Sequence, residues 1–183
     1  RSSTGCSHDH CRTTIVIVIR SLVFNFVFYL VLFVYLIAAM PTLLMPRQAL
    51  LAMVKNWSRL NLWLLKVICN IGYEFRGLER IPPGAALIAS KHQSMWETFA
   101  LVPMLKDPAF ILKRELLWIP FFGWCAAKVE MIPVDRGRRS QALAAMTARA
   151  KAEAARGREI VIFPEGTRRA PGAAPSYKYG AAF

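Results

Sequence analysis

Apolar positions along the chain fall into two regimes. From Ser21 to Pro46 no residue is charged, and Ser21–Met40 is an unbroken stretch of 20 residues rich in Phe, Val, Leu and Tyr. That length spans a hydrocarbon core of about 30 Å. Apolar residues on every side are more than a soluble core helix needs. The run is long for a signal-peptide core, and no clear small-x-small cleavage site follows it. The pattern predicts a transmembrane helix over 21–45.

Gln48–Tyr73 has a different pattern. Lys55, Arg59 and Lys66 are spaced four and seven apart and share a helical face, while Leu51, Val54, Trp57, Leu62, Leu65 and Ile68 fill much of the rest. This reads as an amphipathic helix over 48–70 lying in the membrane interface, with Trp57 and Trp63 at headgroup depth. Three cations make it a poor second span. Arg20 against Arg47 and Lys55 gives no decisive orientation.

After Gly72 the apolar runs become short and alternate with helical stretches. Ala85–Ser90, Ala109–Leu112, Val129–Val134 and Glu159–Phe163 read as strands, and Glu97–Leu105 and Ser140–Arg156 as helices. In the second helix Leu143, Met146 and Ala150 make the inner stripe, and Arg149, Lys151, Glu153 and Arg156 the solvated side. Strand 129–134, helix 140–156 and strand 159–163 form a βαβ unit, so those two strands are expected to be parallel. The class is α/β, in which sites gather beyond the carboxyl ends of strands. Two segments occupy such positions, Lys91–Glu97 and Pro164–Arg169.

Charge adds a partner class. The 183 residues carry 24 Lys+Arg against 11 Asp+Glu, a net charge of +13, with 55% hydrophobic residues. A basic disordered tail would be poor in apolar residues. Basic and apolar together suggest a protein at an anionic membrane, or one that binds an anionic, lipid-like ligand. Residues 1–72 hold seven cations and one acid, Asp9; residues 73–183 hold seventeen and ten. Neither part contains a block of like charge that reads as a nucleic-acid arm. Cys6, His8, His10 and Cys11 are metal-ligand types, but they are crammed into six positions without a second pair, so residues 1–14 read as a disordered leader. Four cysteines give no disulfide framework.

Two constellations carry chemistry. His92 lies just past a strand with Glu97 five residues on. In a continuous helix that spacing separates side chains by about 140°. The pair meets only if His92 sits in the turn and Glu97 in the first helical turn. It would then be a base with an orienting carboxylate. The bland alternative is a surface histidine and a helix N-terminal glutamate. Phe163-Pro164-Glu165-Gly166-Thr167-Arg168-Arg169 ends the last strand. Gly166 permits a tight turn and Arg168 offers a planar fork suited to phosphate. Alone, it says "anion site" weakly.

Together these blocks resemble the glycerolipid acyltransferases, most closely the bacterial 1-acyl-sn-glycerol-3-phosphate acyltransferases. That family carries H-x4-D/E, here His92…Glu97, and F-P-E-G-T-R-S-like residues, here Phe163–Arg169. Between them, the segment from Phe110 through Lys113, Arg114, Glu115, Trp118 and Pro120 to Gly123 is similar to the family's second block, and Ile132–Arg136 to its I-x-R/D-R turn. The resemblance covers roughly residues 20–180. Glu97 stands for the commoner Asp, and Tyr179 stands where Pro often follows Tyr-Lys.

The resemblance implies a mixed sheet with flanking helices, preceded by membrane-anchoring helices over 15–72, and a catalytic domain over 73–183. Because the family continues with a further strand, the domain is expected to be cut short at Phe183. The implied reaction moves a fatty acyl group from acyl carrier protein or coenzyme A to the 2-hydroxyl of 1-acylglycerol 3-phosphate, giving phosphatidate, with no cofactor and no metal. His92 would be the base and Glu97 its orienting partner. Arg168, with Lys113, Arg114 or Arg136, would hold the phosphate, and Glu165, Gly166 and Thr167 would shape the turn. The alcohol attacks directly, so Ser94 and Cys125 are not assigned as nucleophiles. The implied location is the cell inner membrane, with the catalytic domain on its cytoplasmic face. Another lysolipid acceptor, or an inactive membrane-binding protein, stays open as an alternative.

Overall fold

The computed structural model describes residues 5–135 and 139–177, with backbone alone at 5–12 and 139–140. The chain opens with two helices, α1 (Gly5–Ala38) and α2 (Arg47–Cys69), joined through a 3-10 turn over Met40–Leu44. Asn56 bonds the Tyr35 hydroxyl and Cys69 the Arg20 carbonyl, so the two helices run antiparallel. Within α1, Thr13–Ala38 has mean hydropathy 2.5 and is long and apolar enough to cross a membrane. Its 26 residues extend about 39 Å.

Two expectations shift here. Residues 5–14 of the expected leader continue α1, because a helix nucleated by an apolar run extends cheaply at its end. The helix also stops before residue 45, where Pro41 starts the 3-10 turn.

Helix α2 packs against protein. Its Leu50, Leu51 and Leu62 are buried, and the Trp57 ring lies 5.6 Å from Phe28 of α1 and 5.9 Å from Phe99. Trp57 is thus a core aromatic and not a headgroup anchor; Trp63 is exposed. Lys55 reaches the Lys106 carbonyl at 2.8 Å, whereas Arg59 and Lys66 stay exposed.

The folded part runs β1 (Ala86–Ala89), α3 (Trp96–Ala100), β2 (Pro108–Lys113), α4 (Phe122–Lys128), β3 (Ile132–Val134), α5 (Arg139–Ala155) and β4 (Glu159–Ile162). The sheet order is β1-β4-β2-β3. All three pairings are parallel among the described residues, where the resemblance implied a mixed sheet. Strand β4 is buried along its whole length, as a central strand of a covered parallel sheet must be. Pro133, which lacks a donor, sits in the outer strand β3. The expected strand at 129–134 is shorter because Val129 caps α4 and Glu130 takes a φ of +56°.

Alternation along the strands sorts the two faces. Ala109, Ile132 and Ile160 face Met146, Ala150 and Ala154 of α5. Phe110 and Val161 face the other way, with Val102 and Leu105, against Val54 of α2.

At the amino end of the sheet lies a buried ionic network. Arg158, 2% exposed, donates to Glu153 at 2.9 Å, to Asp107 at 3.2 Å and to the carbonyls of Val129 and Glu130. Glu153, read from sequence as solvated, is buried because Arg158 meets it at the end of α5. Arg47 joins from α2 through a two-pronged pair with Asp107. That hydrogen bonding outweighs burial, and with the Arg158 charge it holds the Asp107 carboxyl below its ordinary value.

Arg158→Ala would leave the buried Glu153 with only the half-exposed Arg156, at 3.2 Å, and would strip the Val129 and Glu130 carbonyls of their donor. A loss of about 3–5 kcal/mol in unfolding free energy is expected from chemical denaturation in detergent. A loss below about 1 kcal/mol, the level of an exposed pair, would contradict a stapling role.

Candidate active site

The site is assembled where β1 and β4 end side by side. Ala89 pairs with Ile162, and Ser90 N–H extends the ladder to the Ile162 carbonyl at 2.9 Å. The two following loops then lock together: Arg169 N–H donates to the His92 carbonyl at 2.8 Å.

His92 lies in the turn and Glu97 in the first turn of α3, as their spacing required. His92 Nδ1 is 2.7 Å from Glu97 Oε1. The same oxygen accepts from Gln93 N–H at 2.6 Å and Ser94 N–H at 2.9 Å, while Oε2 accepts from the Ser94 hydroxyl at 2.9 Å. Ser94 Oγ in turn accepts from Trp96 N–H at 3.0 Å. Burial alone would push the Glu97 carboxyl up. The hydrogen bonds from Ser94, His92 and the local backbone overcome that and hold it below the ordinary glutamate value. An ionised carboxylate only accepts, so the proton between the pair belongs to Nδ1, and Nε2 presents its lone pair. Phe163 stacks on the imidazole, with centroids 4.4 Å apart and planes 26° from parallel. Ring orientation is therefore fixed from an edge and from a face.

Beside His92 opens an apolar cavity of about 740 Å³. Its walls come from α1, α2, the α3 region, β2 and α4, and its polar lining includes His92, Lys113, Thr167 and Arg168. Gly166, at φ +65°, also lines it; a side chain there would be strained, and its N–H closes a turn onto the Phe163 carbonyl at 2.9 Å.

The other predicted residues are dispersed. Glu165 is 1% exposed, does not line the cavity, and accepts from Ser176 N–H at 3.4 Å. It supports the loop from within. Arg114 points to Asp135 at 3.4 Å, away from the cavity lining. Lys113 lines the cavity while pairing with Glu115 at 3.3 Å. Arg136 lies outside the described residues, as do the side chains of Cys6, His8, His10 and Cys11. Cys125 also lines the cavity, and burial pushes its thiol up, which disfavours a nucleophilic thiolate.

Sequence reasoning missed Ser94 as the clamp on Glu97 and Phe163 as the histidine's stacking partner. The first was detectable: Ser94-x-x-Glu97 has capping-box spacing.

A parallel α/β sheet whose carboxyl end carries a histidine–carboxylate pair beside an apolar cavity defines the class. The chain belongs to the acyltransferase family, whose sequence model matches residues 72–183. It is 45% identical over 115 residues to a 1-acyl-sn-glycerol-3-phosphate acyltransferase of Pseudomonas aeruginosa, covering 63% of this chain and 45% of that one. It is 33% identical over 132 residues to the human 1-acyl-sn-glycerol-3-phosphate acyltransferase alpha, covering 70% and 47%. The chain thus spans about half the length of the curated relatives it matches. The fold is similar to the crystal structure of PlsC, the 1-acyl-sn-glycerophosphate acyltransferase of Thermotoga maritima, with a TM-score of 0.69 at 22% identity, over 89% of this chain and 68% of that one.

Ser94→Ala removes one hydrogen bond to Glu97, so the Glu97 carboxyl is expected to titrate higher. Carbon-13 NMR of the labelled carboxyl reads this, and an unmoved midpoint would remove Ser94 from the clamp. The sign carries to stability. A depressed carboxyl contributes fully above about pH 4.3, its unfolded value, and the contribution is lost as pH falls through the folded value. Ser94→Ala shrinks that acid-sensitive part.

Proposed function

We propose that this chain transfers a fatty acyl group from a thioester of coenzyme A or acyl carrier protein to the 2-hydroxyl of 1-acylglycerol 3-phosphate. The observation that carries the reading is the His92–Glu97 pair opening on an apolar cavity whose lining also holds Arg168 and Lys113. In the proposed step the 2-hydroxyl oxygen attacks the thioester carbonyl carbon while His92 Nε2 takes the hydroxyl proton. The tetrahedral intermediate collapses by breaking the carbon–sulfur bond, and the imidazolium returns the proton to the departing thiolate. The products are phosphatidate and a free thiol. Glu97 stabilises the imidazolium through Nδ1 without taking the proton. Arg168, with Lys113, holds the phosphate, and the apolar cavity takes an acyl chain. Thr167 and Gly166 bring the loop to the phosphate, and Glu165 keeps it in shape.

The names of the relatives support the acceptor, and the chemistry calls for no cofactor besides the thioester donor. Helix α1 supports membrane attachment. We place the protein at the cell inner membrane with the catalytic part on the cytoplasmic face, where such thioesters are found. An inert membrane-binding protein is the poorer reading, because it has no use for a fully clamped imidazole.

His92→Ala should lower kcat/KM for acyl transfer to lysophosphatidate by about 10²–10⁴-fold. The measurement uses the full chain in membranes, with radiolabelled acyl thioester. Activity within a few-fold of wild type would overturn the assignment of the base.

A further inference from the structure

The segment between β2 and β3 carries a surface that the reaction does not use. Its 3-10 turn over Arg114–Trp118 leads through Ile119-Pro120-Phe121 into α4. Trp118 is 71% exposed, Trp124 54%, Ile119 46% and Phe121 39%. Four large apolar side chains in seven positions form a patch of the kind that soluble surfaces avoid.

The patch is built to stay outward. Phe121 adopts φ +63° and ψ −55°, a conformation disfavoured for a residue with a side chain. Its ring meets Trp124 edge-on at 5.3 Å. Gly123 lies under the turn so closely that a side-chain carbon there would stand 2.0 Å from the Leu117 carbonyl oxygen. Turn and helix are therefore in close backbone contact, which admits no side chain at position 123.

What α4 packs against identifies the occupant. Cys125 and Val129 pack on Leu36, Ala39, Met40 and Leu43, the carboxyl end of the membrane-length helix and the turn that follows it. The next two residues, Leu44 and Met45, are themselves 94% and 48% exposed. The helix that carries Trp124 therefore packs directly on the end of α1 and on the turn that follows it. Tryptophan is the side chain most suited to the boundary between headgroups and acyl chains. Arg114, which also meets Asp135, and Lys128 flank these residues along a chain of net charge +13, and so fit an anionic lipid surface.

We propose that Trp118, Ile119, Phe121 and Trp124 form a second membrane-docking surface, seated in the interfacial layer of the same bilayer that α1 enters. It rests on the membrane attachment proposed above and is independent of the acyl-transfer chemistry. Two anchorages, at α1 and at this plate, restrict the tilt of the catalytic domain against the bilayer, which a single helix leaves free.

The test uses the full chain reconstituted in vesicles of phosphatidylcholine and phosphatidylglycerol, with bromine at acyl carbons 6,7 or 11,12. Flotation reads attachment, and quenching of tryptophan emission reads depth. The proposal expects stronger quenching by the shallow bromines than by the deep ones. It also expects the quenched share of the emission to fall by about half in W118F/W124F, while W63F retains most of it. A chain that floats, but whose W118F/W124F variant keeps the wild-type quenched share, overturns the docking surface and leaves attachment by α1 intact. A chain that fails to float overturns both. A crosslinked dimer that forms in vesicles and is lost in W118F/W124F would assign the patch to a second copy, and likewise overturns the proposal.

Discussion

Ala89 lies beside Ile162 in a parallel register, and the site depends on that contact. Parallel pairing carries both loops out of the sheet at the same end. An antiparallel pair would have put them at opposite ends of a four-residue ladder, roughly 13 Å apart. The contact continues past the strands through Ser90 and then through Arg169, which holds the His92 carbonyl. One loop brings His92 and Glu97, and the other brings Phe163 and Arg168. Neither loop holds a complete site.

The opposite end of β4 has the complementary task. Arg158 precedes the strand and Phe163 follows it, so the buried ionic network and the chemistry stand at its two ends. The network joins β2, α5 and β4, and Arg47 extends it to α2. Lys55 adds a second tie, and the Phe28, Trp57 and Phe99 rings close the junction of α1, α2 and α3. The helical hairpin is consequently a wall of the cavity and not a detached anchor: Leu50, Val54 and Trp57 line the space that His92 also lines.

Local signals were legible in the chain. The apolar runs at Ala86–Ala89 and Glu159–Ile162 became strands, the alanine-rich segment became α5, and the five-residue spacing of His92 and Glu97 closed once the turn preceded the helix. Contacts between distant segments were not. Insertion of β4 between β1 and β2 depends on pairing and leaves no local trace. Glu153 sits among exposed neighbours in a good helix, and it is buried where Arg158, five residues on, meets it. The cationic positions of α2 suggested a lipid headgroup layer, yet Lys55 is taken up by the Lys106 carbonyl just ahead of β2. Glu165 stands in the motif loop beside Arg168, but the turn directs it inward. A motif names the residues of a loop and not the side each faces.

In the proposed reaction the Glu97 carboxylate makes His92 a base for the acceptor hydroxyl without touching substrate. Glu97→Gln keeps the shape and an oxygen facing Nδ1 while removing the charge. Steady-state acyl transfer by this variant is the most direct measurement. A fall in kcat of about 10²-fold or more is expected, with KM for lysophosphatidate within a few-fold of wild type. An unchanged kcat, or a loss confined to KM, would contradict it.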